Sequence, residues 1–259
     1  IQADSIVPGG VQGLDRYAYV NNMPTRFTDP SGHEICMDDG YCGSMNSVSY
    51  WNKIIKEIER DYEISFEGNW SLDNKIAVIT GVILAGSGIA KDIGTDSGSE
   101  AFKKAFIPTK FKWVDGACGG EDDRCYADAY SFPNTITFYS SHWTRQLDEK
   151  GLEIGKPFKK GNPAVSFALV IHELGHAFNT ETGGAFNDAT AAEGITNKEG
   201  FGIIKGASGQ TEVTADLFAN YILGTLGPRS DGINLPEFMQ TNIATWVDLA
   251  SNYVWSGNR

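Results

Sequence analysis

His172-Glu173-Leu174-Gly175-His176 places two imidazoles four residues apart, with a carboxylate directly after the first. On an α-helix, residues at i and i+4 project from one face, close enough to share a metal ion. The glutamate then lies where it can contact a water on that ion, as a hydrolytic zinc site requires. Upstream, Val165-Ser166-Phe167-Ala168-Leu169-Val170-Ile171 is a mainly apolar run, and Ala177-Phe178 continue it past the second histidine. That pattern reads as a buried helix carrying two ligands into the middle of a domain. A five-residue pattern also arises by chance, but the chain holds only four histidines, His33, His142, His172 and His176. Two of them fall here.

Zinc in a hydrolytic site normally takes three protein ligands and leaves a fourth position to water. A third histidine six residues past His176 is excluded, because Thr182 stands there, and Asn179 replaces the glycine that would accompany it. A carboxylate must serve, and two regions compete. One holds Asp188 and Glu193, in a Gly- and Ala-rich stretch that reads as a loop. The other is the segment from Thr211 to Leu223, which reads as a helix between breakers at Gly206, Ser208 and Gly209 and at Gly224 and Gly227-Pro228. Glu212, Ala215, Asp216 and Ala219 share one face of it, and the two alanines would let it approach the metal helix closely. Glu212 is therefore the favoured ligand. Asp216, one turn on, is placed to hold the far ring nitrogen of a ligand histidine. A solvated Glu/Asp pair is the plainer alternative, and Asp188 stays open as a ligand.

Other elements must position these groups. Ser47 to Tyr62 carries Val48, Trp51, Ile54, Ile55 and Ile58 between charges, the pattern of an amphipathic helix. Ile64 to Glu67 is a short strand candidate. Asp73 is placed to cap a helix through Leu84, whose apolar run of about 15 residues, interrupted by Gly81, Gly86 and Gly88, is too short to span a bilayer. Glu100 to Phe106 reads as another short helix. Asn134 to Tyr139 alternates with period two and is rich in β-formers, so it should be a strand. Together these predict an α+β fold. His142, just beyond that strand, is a candidate donor to a tetrahedral oxyanion, with a surface histidine the plainer reading. Tyr221 is a weaker candidate for the same role.

Over residues 165–223 the chain resembles the gluzincin metallopeptidases, and more narrowly those with an ImmA/IrrE-like second motif. In that group an H-E-x-x-H helix is followed by a helix of the form E-x-x-A-[ND]-x-F-A. Glu212, Ala215, Asp216, Phe218 and Ala219 match it position by position. The resemblance implies a zincin-like fold, Zn2+ held by His172, His176 and Glu212, Glu173 as general base, and a protein or peptide substrate. It also implies that the strand ahead of the metal helix edges the cleft, where an extended peptide can add by main-chain hydrogen bonds. The interval between His176 and Glu212 is longer than in thermolysin-like members and rich in glycine. It is expected to be a flexible loop beside the cleft.

The first 33 residues carry a second resemblance. Ala3-Asp4-Ser5-Ile6-Val7-Pro8, Leu14-Asp15-Arg16-Tyr17-Ala18-Tyr19-Val20-Asn21-Asn22-Met23-Pro24 and Asp29-Pro30-Ser31-Gly32-His33 look like the end of an RHS-associated core. RHS and YD-repeat proteins are large secreted or surface shells, and the polypeptide after their core is typically a toxin or effector domain. The resemblance implies a tail over residues 1–33 and a zincin-like effector domain over 34–259. It also implies an RHS shell and a cognate immunity protein as partners. A D-P-x-G motif, usually followed by leucine, marks autoproteolytic release in that family; here His33 follows instead. Without any homology, Pro, Gly, Asn and Asp every few residues describe an irregular leader. The chain starts on Ile1, so it is expected to be part of a longer protein.

Composition narrows the function classes. Hydrophobic residues make up 41% and charged residues 21%, as in an ordinary globular domain with a sizeable core. A net charge of -12 argues against nucleic acid or an anionic membrane as partner. The densest acidic runs, Asp38-Asp39 and Glu121-Asp122-Asp123, read as solvated loops, a hard-cation site at the second being the alternative. The cysteines fall as two near pairs, Cys36/Cys42 and Cys118/Cys125, each able to close a small loop as a disulfide. Disulfides would indicate a secreted or cell-surface setting, while buried free thiols would carry no such message. The expectation is a zinc endopeptidase. A non-catalytic or single-partner regulatory zincin-like module, or an adhesion module with structural zinc, are the competing classes.

Overall fold

The computed structural model describes residues 27–28, 35–37, 42–43, 47–116, 127–131, 134–140, 164–196, 209–229 and 232–252. The chain divides into two units, Ile1–Glu57 and Ile58–Arg259. The expected boundary between residues 33 and 34 lies outside the described residues.

In the first unit, β1 (Phe27–Thr28), β2 (Ile35–Met37) and β3 (Cys42–Gly43) form an antiparallel sheet in that order. The register sets Cys36 opposite Cys42. Directly opposed α-carbons in such a pair stand about 4.5–5.5 Å apart.

Helix α1 (Val48–Tyr62) follows the expected amphipathic segment. Its buried stripe is Tyr50, Ile54, Ile55, Ile58 and Tyr62, whereas Val48, expected on that stripe, is 60% exposed. Val48 lies only about 20° around the helix from Ile55, seven residues on, but it is the first residue of α1, and the buried stripe begins at Tyr50.

The second unit runs β4 (Ile64–Glu67), α2 (Leu72–Ile93), α3 (Gly98–Ala105), β5 (Thr109–Val114), β6 (Ala127–Ser131), β7 (Thr135–Tyr139), α4 (Ala164–Glu181), α5 (Ala185–Ala192), α6 (Gln210–Ile222) and α7 (Leu235–Asn252). It combines helices with a small, mostly parallel sheet, the α+β class expected. The sheet order is β4-β5-β7-β6, with β4, β5 and β7 parallel and β6 antiparallel on the outside. Parallel neighbours need a long crossover, which α2 and α3 supply between β4 and β5.

The strand expected over Asn134–Tyr139 forms, but it does not edge the sheet. β7 pairs with β5 on one side and β6 on the other, so the edges are β6 and β4. Thr135, Ile136, Thr137 and Phe138 are all buried, as befits a central strand covered on both faces. Their alternation of Thr with apolar residues imitates a half-exposed strand, because threonine can pack by its methyl or face water by its hydroxyl.

Helix α2 starts under Ser71, not Asp73. The Ser71 hydroxyl accepts from the Asn74 backbone N–H at 3.2 Å, and Asp73 instead occupies the first turn, where the helix dipole favours its charge. The helix continues past Leu84 to Ile93 and ends at Gly94, in the left-handed region at φ 72°. Its 22 residues are long and apolar enough to cross a membrane, yet over half of the apolar window is buried within the protein. It packs against α3, α4 and α7. Gly81 makes the α2–α4 contact close: a Cβ there would stand 2.8 Å from Val170 Cγ1.

Aromatic rings knit the helices together. Phe102 of α3 and Phe106 at its C-cap approach to 4.5 Å between ring centres, Phe106 meets Phe178 of α4 at 5.9 Å, and Phe178 meets Phe218 of α6 at 5.3 Å. Phe186 of α5 joins Phe178 at 5.7 Å and Trp246 of α7 at 4.6 Å. These rings are largely or wholly buried, so they fix how α4, α5 and α6 meet.

Candidate metal centre

Helix α4 is apolar on nearly every side. Ile171, Leu174 and Phe178 are fully buried, and so is His172 among them. Such a helix belongs in the interior, and it takes its polar groups inside with it. Gly175, between the two histidines, is what lets α6 lie against this surface. A Cβ on it would stand 2.8 Å from the Ala215 α-carbon and 3.0 Å from the Ala215 carbonyl oxygen. Backbone meets backbone at this crossing, and Glu212, three residues before Ala215, is carried to the histidines.

His172, His176 and Glu212 converge. His172 Nε2 and His176 Nε2 are 3.2 Å apart; Glu212 Oε2 is 3.3 Å from the first and its Oε1 3.5 Å from the second. Ligand atoms held at about 2.0–2.1 Å from a tetrahedral centre must stand about 3.3–3.4 Å from one another. The separation of the two imidazole nitrogens is close to one edge of such a tetrahedron, and each nitrogen has an oxygen of Glu212 within 3.5 Å. The cluster is also short of positive charge, since two ring nitrogens and a carboxylate face one another. A proton or a cation is needed between them.

Asp216 decides which nitrogen of His172 faces that point. The Asp216 Oδ1 lies 2.7 Å from His172 Nδ1, and both side chains are fully buried. Nδ1–H donating to the carboxylate leaves the Nε2 lone pair aimed at His176 and Glu212. Asp216 Oδ2 has no hydrogen-bond partner among the described residues. Burial works to lower the His172 pKa, but the charge and hydrogen bond of Asp216, helped by Glu212 and Glu173, outweigh it and raise the value to about 10. Glu212 is held well below the usual carboxylate range by hydrogen bonds from His172 and His176, against partial burial. Both shifts favour positive charge at the point between the three side chains, the position that suits a cation. The donor set fits zinc.

Glu173 is 3% exposed, and its charge contributes to the field at His172. Asp188 lies in the first turn of α5 and Glu193 at its end; both are exposed and neither joins the cluster. The stretch read as a loop there is helical from Ala185 to Ala192. Tyr221 is tied elsewhere: its hydroxyl donates to Asp92 of α2, and burial followed by that contact pushes its pKa far up. It stands nine residues past Glu212, roughly 13 Å along the helix axis. His142, Cys118, Cys125, Asp38, Asp39, Glu121 to Asp123 and residues 197–208 lie outside the described residues.

Comparison with protein-family models, with curated proteins and with solved structures finds no match.

Proposed function

We propose that this chain is a zinc-dependent endopeptidase of the gluzincin kind, with a zincin-like fold, delivered as the C-terminal effector of an RHS-like protein. The observation that carries the reading is the convergence of His172 Nε2, His176 Nε2 and Glu212 at separations of 3.2 to 3.5 Å, with Asp216 orienting the first imidazole. His172, His176 and Glu212 would hold the ion. Zinc so held supplies Lewis acidity and lowers the pKa of a bound water from 15.7 to about 7. Glu173, directly beside the first ligand, takes the proton as water attacks the scissile carbonyl and hands it to the leaving amine. The carboxylate Oδ1 of Asp216 keeps His172 in the tautomer that ligates. Edge strand β6, paired only with β7 among the described strands, offers a main-chain ladder to an extended peptide.

The setting follows from the N-terminal resemblance and the cysteines. The Cys36–Cys42 register, with α-carbon spacing of about 4.5–5.5 Å for such pairs, falls inside the range a disulfide spans. It supports a secreted or surface setting; an RHS shell and an immunity protein as partners rest on the resemblance of residues 1–33 alone.

The test compares the parent with Glu173→Gln for zinc content, cleavage of a casein substrate and N-terminal sequence after incubation. The variant should keep zinc and fold while losing cleavage, and new termini near His33 should arise in the parent only. Undiminished proteolysis by Glu173→Gln would remove the assigned base.

A further inference from the structure

Glu212 sits in the first turn of a helix that does not cap itself. Gly209 holds the N-cap of α6 and offers no side-chain cap bond. Two hydrogen bonds donated to the preceding segment flank the ligand. Gln210, two residues before Glu212, donates from Nε2 to the Ile195 carbonyl at 3.2 Å. Thr214, two residues after it and fully buried, brings Oγ1 to 3.1 Å from Asn187 Oδ1 on α5.

Helix α5 is itself pinned to the end of α4. Gly184 at its N-cap has no side chain to satisfy the free N–H groups of the first turn. Two α4-side groups do so: Asn179 Oδ1 accepts from the Asn187 N–H at 2.8 Å, and Thr182 Oγ1 from the Phe186 N–H at 3.3 Å. Asn179 is three residues past His176. A polar path therefore runs from the histidine helix through one asparagine, by its backbone and its side chain, to the helix of the third ligand.

We propose that Asn187 is a positioning residue for the metal centre: by tying Thr214 to Asn179 it sets the axial and rotational register of Glu212 against His172 and His176. The inference rests on the metal-site reading above. Aromatic contacts among Phe178, Phe186 and Phe218 also hold these helices together, but they tolerate sliding, whereas a hydrogen bond fixes length and angle. A one-residue slip of α6 would move Glu212 by about 1.5 Å and 100°. That would take its carboxylate out of reach of both imidazoles. The Thr214 hydroxyl has one hydrogen and two acceptors near it, Asn187 Oδ1 and the Gln210 carbonyl at 2.8 Å. Only the first links two helices.

Asn187→Ala and Thr214→Val remove the tether from opposite ends, the second while keeping side-chain shape. Thr214→Ser restores the hydroxyl. Thr190→Val serves as control, because among the described residues the Thr190 hydroxyl bonds only within α5, to the Phe186 carbonyl at 2.8 Å. Each full-length protein is assayed for zinc affinity by chelator competition, for the visible spectrum of its Co2+ form, and for metal-free thermal midpoint. Asn187→Ala and Thr214→Val should weaken zinc by about ten- to a hundred-fold and alter the Co2+ spectrum. Thr214→Ser should match the parent, and Thr190→Val should lower the midpoint without changing affinity. Parent-like affinity and spectrum in both tether variants overturn the positioning role while leaving the metal centre standing. A parent that binds no zinc overturns both. Should Asn187→Ala fail to fold, Thr214→Val against Thr214→Ser decides alone.

Discussion

Gly175 and Ala215 meet through bare backbone: a single methyl on the glycine would press to 2.8 Å from the Ala215 α-carbon. This contact lets a helix with two histidines and a helix with a glutamate approach closely enough for their side-chain tips to converge. Gly175→Ala should therefore cost about 1–3 kcal/mol of stability, the usual range for overpacking, and weaken zinc binding with it. Because the obstruction is the Ala215 backbone, adding Ala215→Gly should not restore either property. Denaturant unfolding and zinc titration of the single and double variants check this, and full rescue by Ala215→Gly would contradict it.

The His172–Asp216 pair should matter more to metal than to fold. Asp216→Asn keeps an oxygen near Nδ1 but removes the charge, and it should weaken zinc by about ten-fold or more. Asp216→Ala leaves Nδ1 buried without its partner and should add a stability loss of about 1–3 kcal/mol. Equal zinc affinity in parent and Asp216→Asn, measured by chelator competition, would remove the orienting role.

The pH dependence of the metal-free chain follows from the same cluster. His172 is raised from 6.5 to about 10, so its contribution to stability is complete below about pH 6.5 and is lost as pH rises through about 10. Glu212 is depressed, so its contribution is present above its ordinary 4.5 and fades as pH falls below that. Zinc must displace the His172 Nε2 proton, so binding near neutral pH should release protons and tighten as pH rises. Calorimetry in two buffers of different ionisation enthalpy reads the release directly; no difference between buffers would show that His172 is already neutral.

Tyr221 separates structural from catalytic roles near the centre. Tyr221→Phe breaks the bond to Asp92 that ties α6 to α2 and should cost about 1–2 kcal/mol. Zinc affinity and turnover should be unchanged. A fall in kcat at parent stability would instead place the tyrosine at the reacting carbonyl.

What the sequence made legible is whatever rests on helical periodicity. His172 and His176 are one turn apart, and Glu212 and Asp216 share a face, so local spacing alone sets each pair. The α4–α6 crossing was half legible: Ala215 announced a close approach, but that Gly175 is its counterpart appears only when the helices are docked. Asn187 gave no signal, since its backbone and side-chain bonds go to Asn179 and Thr214, residues 8 and 27 positions away. The edge position expected of β7 came from the resemblance and not from its own residues, whose alternation suits a buried strand as well as a half-exposed one. Strand order depends on long-range pairing, which no local pattern encodes.

The most direct measurement is zinc per chain by elemental analysis after loading and dialysis, on the parent, His172→Ala and Glu212→Ala. One zinc per parent chain and none in either variant is expected. A parent that emerges free of zinc, or a Glu212→Ala chain that retains it as firmly as the parent, would contradict a centre built from these two helices.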